Sequence, residues 1–203
     1  MFTVWGYETS GDLPCLLSAA DFDDMTGGRY AGDLRVGPAL AAASQAVRNA
    51  CGWHVAPSIG CTARLTAAGK MAKLPAGHVS AVSSVREYDP RTGEWAALSV
   101  PGQVEWRHDG LLRRLCFREF TRAWDGVKVT YTAGYDPCAA PDLMDAVRRI
   151  AEGVLSMPVG ISSETAGGVS VSYSASASSI AASMTPQFMA QLAPYRLVSA
   201  HAA

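Results

Sequence analysis

Cys51 and His54, three residues apart in "NACGWHVAP", are the residues whose types and spacing could most directly do chemistry. They could form half of a zinc site, or a reactive thiol beside its base. Zinc needs four ligands, usually from two such pairs, and a catalytic thiol needs an orienting group and a pocket. The other histidines stand near no cysteine pair: His78, His108 and His201. We therefore predict that Cys51 packs in a helix and that His54 starts a strand, with no metal and no cofactor.

Catalytic motifs are missing from the rest of the sequence as well. It contains no P-loop and no GxSxG, HExxH or GxGxxG pattern. The adjacent carboxylates of Asp23 and Asp24 stand near the start of a predicted helix, where negative charge is favoured by the helix dipole. We predict that the protein has no catalytic residue and is not an enzyme.

A basic segment, "RHDGLLRRLCFREFTR" over 107–122, is the second candidate for chemistry. Arginines interleaved with aromatic residues can bind nucleic acid. Its arginines are Arg107, Arg113, Arg114, Arg118 and Arg122. Alternation explains the pattern as well, with Leu112, Leu115 and Phe117 facing inward and the charges facing outward. A solvated sheet face or a subunit contact is therefore favoured, and nucleic-acid binding is the alternative.

The composition is that of a globular chain without a strong charge. The 203 residues are 49% apolar and 17% charged, with a net charge of −1, so nothing draws the chain in bulk to nucleic acid or a membrane. No apolar run approaches the ~20 residues of a membrane span, and the N-terminus does not have the pattern of a signal peptide. The five cysteines are widely spaced and odd in number. We expect reduced thiols, most of them buried, in a cytosolic compartment.

Capping residues and apolar periodicity predict two helices early in the chain. The first covers 18–28, where Ser18 can cap the start and Gly27 can adopt the left-handed conformation at the end. The second covers 38–52, is rich in alanine and has one apolar face. Trp53 follows at once, and we predict that it folds back over the last turn as a structural anchor.

Short segments rich in β-branched and aromatic residues fill the range 54–135. "DPRTGE" and "HDG" between them are typical of hairpin turns. "VKVTYT" alternates cleanly, with Val127, Val129 and Tyr131 on one face. This pattern predicts a small, mostly antiparallel β domain.

Helical patterns return at 140–160 and again at 184–196, where Thr185 can cap a short helix that Pro186 opens. The segment 161–183 between them has few charges and few large side chains, which indicates an extended arm or linker.

The order of elements predicts an α+β fold. It has a helical core of about four helices, with an inserted small antiparallel β domain and an extended C-terminal arm. We assign 13–52 and 140–160 to the helical core, 53–139 to the β domain, and 161–203 to the arm and short C-terminal helix.

Several stretches resemble the head-to-tail connector proteins of tailed bacteriophages and prophages, also called adaptor or head-completion proteins. They are "ALAAASQAVRNACGWHVAP", "VKVTYTAGYDP", "PDLMDAVRRIAEGVLSMP", "SSETAGGVSVSYS" and a final "LAPYR". The resemblance covers about residues 13–196 and is strongest to proteins of phages that infect actinobacteria. The first twelve residues have no counterpart in it.

This resemblance implies a structural virion protein of the neck, assembled in the host cytoplasm. Such adaptors form a ring, commonly of twelve copies, that docks under the portal protein, extends the DNA channel and links the capsid to the tail. Its partners would be further copies of itself, the portal, and the next neck or tail component, a stopper or tail terminator. Genomic double-stranded DNA would pass through the lumen without sequence-specific binding, and no membrane is involved.

The resemblance also implies that the C-terminal arm and helix reach the portal. The residues expected to do so are Val169, Val171, Tyr173, Phe188, Leu192, Tyr195 and Arg196. Two other functions stay open: another neck or tail-completion protein, or a nucleic-acid-binding module that uses the arginines of 107–122.

Overall fold

The computed structural model describes residues 2–156, 163–166, 169–172 and 185–197, with the two short middle ranges described as backbone only. The fold is α+β, as the sequence predicts, with four α-helices and antiparallel sheets in the described part. No helix in that part is both long enough and apolar enough to cross a bilayer.

The chain divides into two units. A β unit contains residues 1–14, 51–139 and 195–203, and a helical unit contains 15–50 and 140–194. The described residues near the two ends of the chain, 2–14 and 195–197, therefore both belong to the β unit. The sequence assigned residues 161–203 to an arm with a short helix and the first twelve to no domain, because short segments carry no periodic pattern; that division stays a prediction.

Helical bounds follow the predicted caps closely. The helices are α1 (Ala19–Thr26), α2 (Val36–Cys51), α3 (Pro141–Ser156) and α4 (Pro186–Leu192). The Ser18 side chain accepts a hydrogen bond from the backbone N–H of Asp21, and Gly27 ends α1 with a φ of 63°. Thr185 caps α4 by accepting from the N–H of Phe188. These contacts are local, which is why the sequence predicts them.

Three sheets are present in the described residues. The strands are β1 (Tyr7–Thr9), β2 (Ile59–Leu65), β3 (Met71–Lys73), β4 (Val79–Asp89), β5 (Glu94–Leu98), β6 (Val104–Trp106), β7 (Leu111–Arg114), β8 (Val127–Ala133), β9 (Ser163–Ala166) and β10 (Val169–Ser172). The β unit has a five-stranded sheet in the order β1-β2-β8-β4-β5 and a three-stranded sheet in the order β3-β7-β6. In the helical unit, β9 and β10 form a two-stranded antiparallel sheet.

The burial of residues along the central strand β8 follows the alternation in its sequence. Val127, Val129 and Tyr131 are buried, and the residues between them are partly exposed, as the alternation predicts. The two predicted hairpin turns are also confirmed, because "DPRTGE" joins β4 to β5 and "HDG" joins β6 to β7. The alternation gives this sheet an inner, apolar face and an outer, polar one.

Four local expectations are wrong. His54 starts no strand, since β2 begins only at Ile59. Phe117 does not face inward but is 97% exposed, whereas Arg114 is buried. Most thiols are not buried, because only two of the five are. The exposed cysteines are Cys15, Cys116 and Cys138.

Candidate functional site

Trp53, the predicted anchor, lies fully buried directly after α2. Its indole Nε1 donates a hydrogen bond of 2.8 Å to the backbone carbonyl of Tyr195. The ring packs near Tyr135, with 6.2 Å between ring centroids, and a Cβ added at Gly77 would lie 3.3 Å from the indole. Next to it, the N–H of Leu197 donates to the carbonyl of Cys51. The end of α2 is thus closed by Trp53 and by the last described residues of the chain.

His54 is a buried structural histidine. Its Nε2 lies 2.9 Å from the carbonyl oxygen of Ala133, and its Nδ1 lies 2.7 Å from the hydroxyl of Tyr7. A carbonyl can only accept, so Nε2 carries a proton and donates. In the neutral ring Nδ1 then accepts from the tyrosine hydroxyl, and that oxygen accepts in turn from the backbone N–H of His54. A Cβ at Gly134 would lie 2.3 Å from the carbonyl oxygen of Pro57 and 3.0 Å from Nε2, so the glycine leaves room for the Pro57 backbone and for the ring.

Cys51 faces the core and not a chemical site. Burial raises the pKa of its thiol to about 12, and burial does the same for Cys61. A thiol with that pKa is protonated at neutral pH and is a poor nucleophile. Within the described ranges, no group of three or more His, Cys, Asp or Glu side chains is arranged to hold a metal ion. The pair Cys51 and His54 therefore works as a packing corner inside the β unit.

The residues expected to reach a portal are divided between the two units, and one of them lies outside the described residues. Phe188 and Leu192 are buried in α4, which packs on α3 in the helical unit. Tyr195 and Arg196 belong to the β unit, where Tyr195 is half-buried and Arg196 is exposed. Backbone alone is described for Val169 and Val171, both in β10, and Tyr173 lies outside the described residues. A portal contact through these residues stays a prediction.

The arginines of 107–122 are largely neutralised by neighbouring carboxylates. Their ion pairs are Arg107–Asp109, Arg113–Glu105, Arg114–Glu87 and Arg122–Glu119. The Arg114 pair is the buried one, with a distance of 3.5 Å and side-chain exposures of 5% and 18%. Glu87 also accepts from the backbone N–H of Thr121 over 2.5 Å. The segment therefore contains few free positive charges.

A different set of cations is brought together by strand pairing. Arg64 on β2 lies directly opposite Lys128 on β8, and Lys128 lies opposite Arg86 on β4. We call these three residues the cation row. Sequence reasoning missed the row because its members are far apart in the chain and only the register aligns them. A groove of about 570 Å³ lies beside it, lined in part by Arg64 and Lys128 and also by Glu8 and Asp125.

Two exposed aromatic side chains mark the connection between β7 and β8. Phe117 is 97% exposed and Trp124 is 90% exposed. Cys116 and Phe117 have φ values of 58° each, in the left-handed region that side chains other than glycine rarely adopt. Exposed aromatic residues on a strained segment are typical of surfaces that contact another protein.

Comparisons with known proteins give a fold and no family assignment. No protein-family model matches the chain, and no curated protein matches it. Among solved structures, the chain is similar to a chain of the neck of an empty gene transfer agent particle computed with C6 symmetry, with a TM-score of 0.66 and 21% identity. It is similar to one in the neck of a native particle computed with C12 symmetry and to one in the native virion, each with a TM-score of 0.62 and 20% identity. Each alignment covers 97% of this chain and 98% of the other. The chain thus shares the fold of gene transfer agent neck proteins over nearly its whole length.

Proposed function

We propose that the protein is a structural component of a phage-like virion neck, a ring-forming adaptor that docks under the portal, extends the DNA channel and links the capsid to the tail. The observation that carries this proposal is the shared fold, because it covers 97% of this chain and 98% of a neck protein. The segment order and the resemblance of the sequence to phage head-to-tail connectors point to the same role. Such a protein needs no catalytic residue.

A ring of identical copies is the second part of the proposal. The similar necks were computed with C6 and C12 symmetry, and we propose twelve copies for this protein. Closed rings are built from head-to-tail contacts, in which two different surfaces of the same chain meet. The exposed aromatic residues Phe117 and Trp124 support this, since apolar side chains of that size are normally covered in an assembled protein. We assign them to contacts with the neighbouring copy.

Two alternatives to the adaptor were predicted from the sequence, and a structural observation bears on the second. Another neck or tail-completion protein would share the virion location and differ in its partner. A nucleic-acid-binding module that uses the arginines of 107–122 is disfavoured, because four of those five arginines are ion-paired. We retain the adaptor as the proposal, with the portal on one side of the ring and a stopper or tail terminator on the other.

Electron microscopy of the chain produced together with a portal protein from the same phage or prophage tests the proposal. We expect a ring of about twelve copies stacked on the portal ring. A monomer in isolation is compatible with the proposal, since a portal can act as the template. A chain that forms no ring and does not bind the portal would overturn it, and a ring that binds only a tail component would favour the tail-completion alternative.

A further inference from the structure

The cation row is fixed by the register of the five-stranded sheet. Arg64 pairs with Lys128, and Lys128 pairs with Arg86, on three adjacent strands. Neighbouring strands are about 4.8 Å apart, so the row is about 10 Å long at the backbone. Buried Val127 and Val129 flank Lys128 in the chain, so the row lies on the outer, polar face of the sheet.

None of the three cations has an ion-pair partner among the described residues. The ion pairs of this part of the chain involve other arginines. Like charges directly opposite each other on paired strands lower the stability of a sheet. The isolated chain thus carries an electrostatic cost at this place, and a bound polyanion would remove it.

The side chains around the row favour a phosphate backbone over an acidic protein surface. Thr62 and Thr130 lie on the same face with their hydroxyls 3.5 Å apart, and Ser84 lies opposite Thr130 on β4. Hydroxyls and cations together suit phosphate oxygens. Stable protein interfaces have an apolar centre, whereas interfaces with DNA are polar and positively charged. The outer face around Lys128 has the second composition on β2, β8 and β4, and Ala97 and Trp95 on β5 border it.

One aromatic contact and two carboxylates change how strongly the cation row can attract an anion. The guanidinium of Arg64 lies 5.5 Å from the ring centre of Trp95, a cation–π contact that holds it over the sheet. Glu8 and Asp125 line the groove beside Arg64 and Lys128. Their negative charges weaken the attraction for phosphate and make the face a weak binder.

We infer that this outer sheet face binds the phosphate backbone of double-stranded DNA, weakly and without sequence preference, through Arg64, Lys128 and Arg86. The biological source of that DNA rests on the proposed function, in which the genome passes through the neck. The binding itself is a property of the β unit and can be measured independently. Weak, sequence-independent contact would suit a duplex that must move past the protein.

Fluorescence anisotropy with the full chain and a labelled duplex of about 30 base pairs of random sequence tests the inference. We expect affinity to fall as salt rises, and each of the substitutions Arg64→Ala, Arg86→Ala and Lys128→Ala to reduce the slope of log K against log salt by about 0.9. Replacing all three should abolish binding. Glu8→Gln should instead tighten it.

The matched control removes three ion-paired positive charges from the segment 107–122: Arg107→Ala, Arg113→Ala and Arg122→Ala together. We expect this variant to bind nearly as the parent does, and thermal unfolding shows that both triple variants are folded. Absence of binding up to about 1 mM protein at low salt would overturn the inference. An equal loss in the control variant would overturn it too, as would binding of polyglutamate in place of DNA.

The outcomes separate this inference from the proposed function. If the parent forms rings but binds no DNA, and the variant without the cation row also forms rings, the DNA-binding face is contradicted and the adaptor role is not. If the chain binds DNA in a salt-dependent way but forms no ring and does not bind the portal, the adaptor role is contradicted and the DNA-binding face is not.

Discussion

Trp53 donates a hydrogen bond from its indole to the carbonyl of Tyr195, 142 residues further along the chain. The two residues belong to the same β unit although one follows α2 and the other nearly ends the described chain. A second hydrogen bond, from Leu197 to Cys51, lies beside the first. The C-terminal residues therefore contribute to the stability of the β unit.

Trp53→Ala should lower the free energy of unfolding by about 3–5 kcal/mol, because it removes a fully buried indole and leaves a cavity. Trp53→Phe should cost less, since it keeps most of the packing and loses mainly the hydrogen bond. Urea unfolding of the full chain measures both. Trp124→Ala is the control and should cost under about 0.5 kcal/mol, because that indole is 90% exposed. Equal losses at the two tryptophans would contradict the anchoring role of Trp53.

Two buried tyrosines should respond in opposite ways to loss of the hydroxyl. Tyr7→Phe removes the oxygen that lies 2.7 Å from Nδ1 of His54 and 3.0 Å from its backbone nitrogen, so it should cost about 1–3 kcal/mol. The hydroxyl of Tyr131 is buried without a hydrogen-bond partner in the described structure, so Tyr131→Phe should be neutral or stabilising. Denaturant unfolding compares the two variants. A large loss of stability in Tyr131→Phe would mean that this hydroxyl has a hydrogen-bond partner.

The ion pair between Arg114 and Glu87 should matter more than the exposed pair between Arg113 and Glu105. Glu87→Ala leaves the guanidinium of Arg114, 5% exposed, without its carboxylate, and should cost about 3 kcal/mol. Glu105→Ala breaks a solvent-exposed pair and should cost under about 1 kcal/mol. Thermal unfolding at moderate salt separates the two. Similar small losses of stability in the two variants would show that water hydrates the guanidinium of Arg114 when Glu87 is removed.

The five thiols should fall into two reactivity classes. Cys15, Cys116 and Cys138 are exposed and should react with a thiol reagent at pH 8 in the folded protein. Burial raises the pKa values of Cys51 and Cys61 to about 12, so these two should react only after unfolding.

The same two thiols make stability fall at alkaline pH. The folded state keeps their protons above the ordinary pKa of 9.0, whereas the unfolded state releases them, so the free energy of unfolding should decrease between pH 9 and about 12. Counting reactive thiols with and without denaturant checks which cysteines react in the folded protein. Unfolding at several pH values checks the loss of stability at alkaline pH. Rapid labelling of all five folded thiols would contradict both expectations.

Trp124→Ala should impair assembly while leaving folding intact. Under the proposed function, the exposed indole is covered by the neighbouring copy, and a buried interface tryptophan commonly contributes at least about 2 kcal/mol to binding. Light scattering and electron microscopy of the ring, alone and on the portal, measure the effect, with Arg91→Ala as a control, since Arg91 is exposed but is not apolar. Normal rings from the Trp124 variant would remove this loop from the proposed contact.

Local elements were predictable from the sequence because their causes are local. Ser18 and Gly27 delimit α1 through contacts within a few residues. The buried residues of β8 follow from alternation along a single strand. The short strand β1 was not predictable, because three residues carry no detectable period and it forms only by pairing with β2.

The sequence by itself determined the α+β class, the helix caps, the two hairpins and the resemblance to phage connectors. Only the tertiary structure decided which charges are free. It pairs Arg114 with Glu87, encloses His54 between Tyr7 and Ala133, and aligns Arg64, Lys128 and Arg86 on one sheet face. The physical reason is that caps and periodicity depend on neighbours in the chain, whereas ion pairing, burial and cross-strand register depend on residues that only folding brings together.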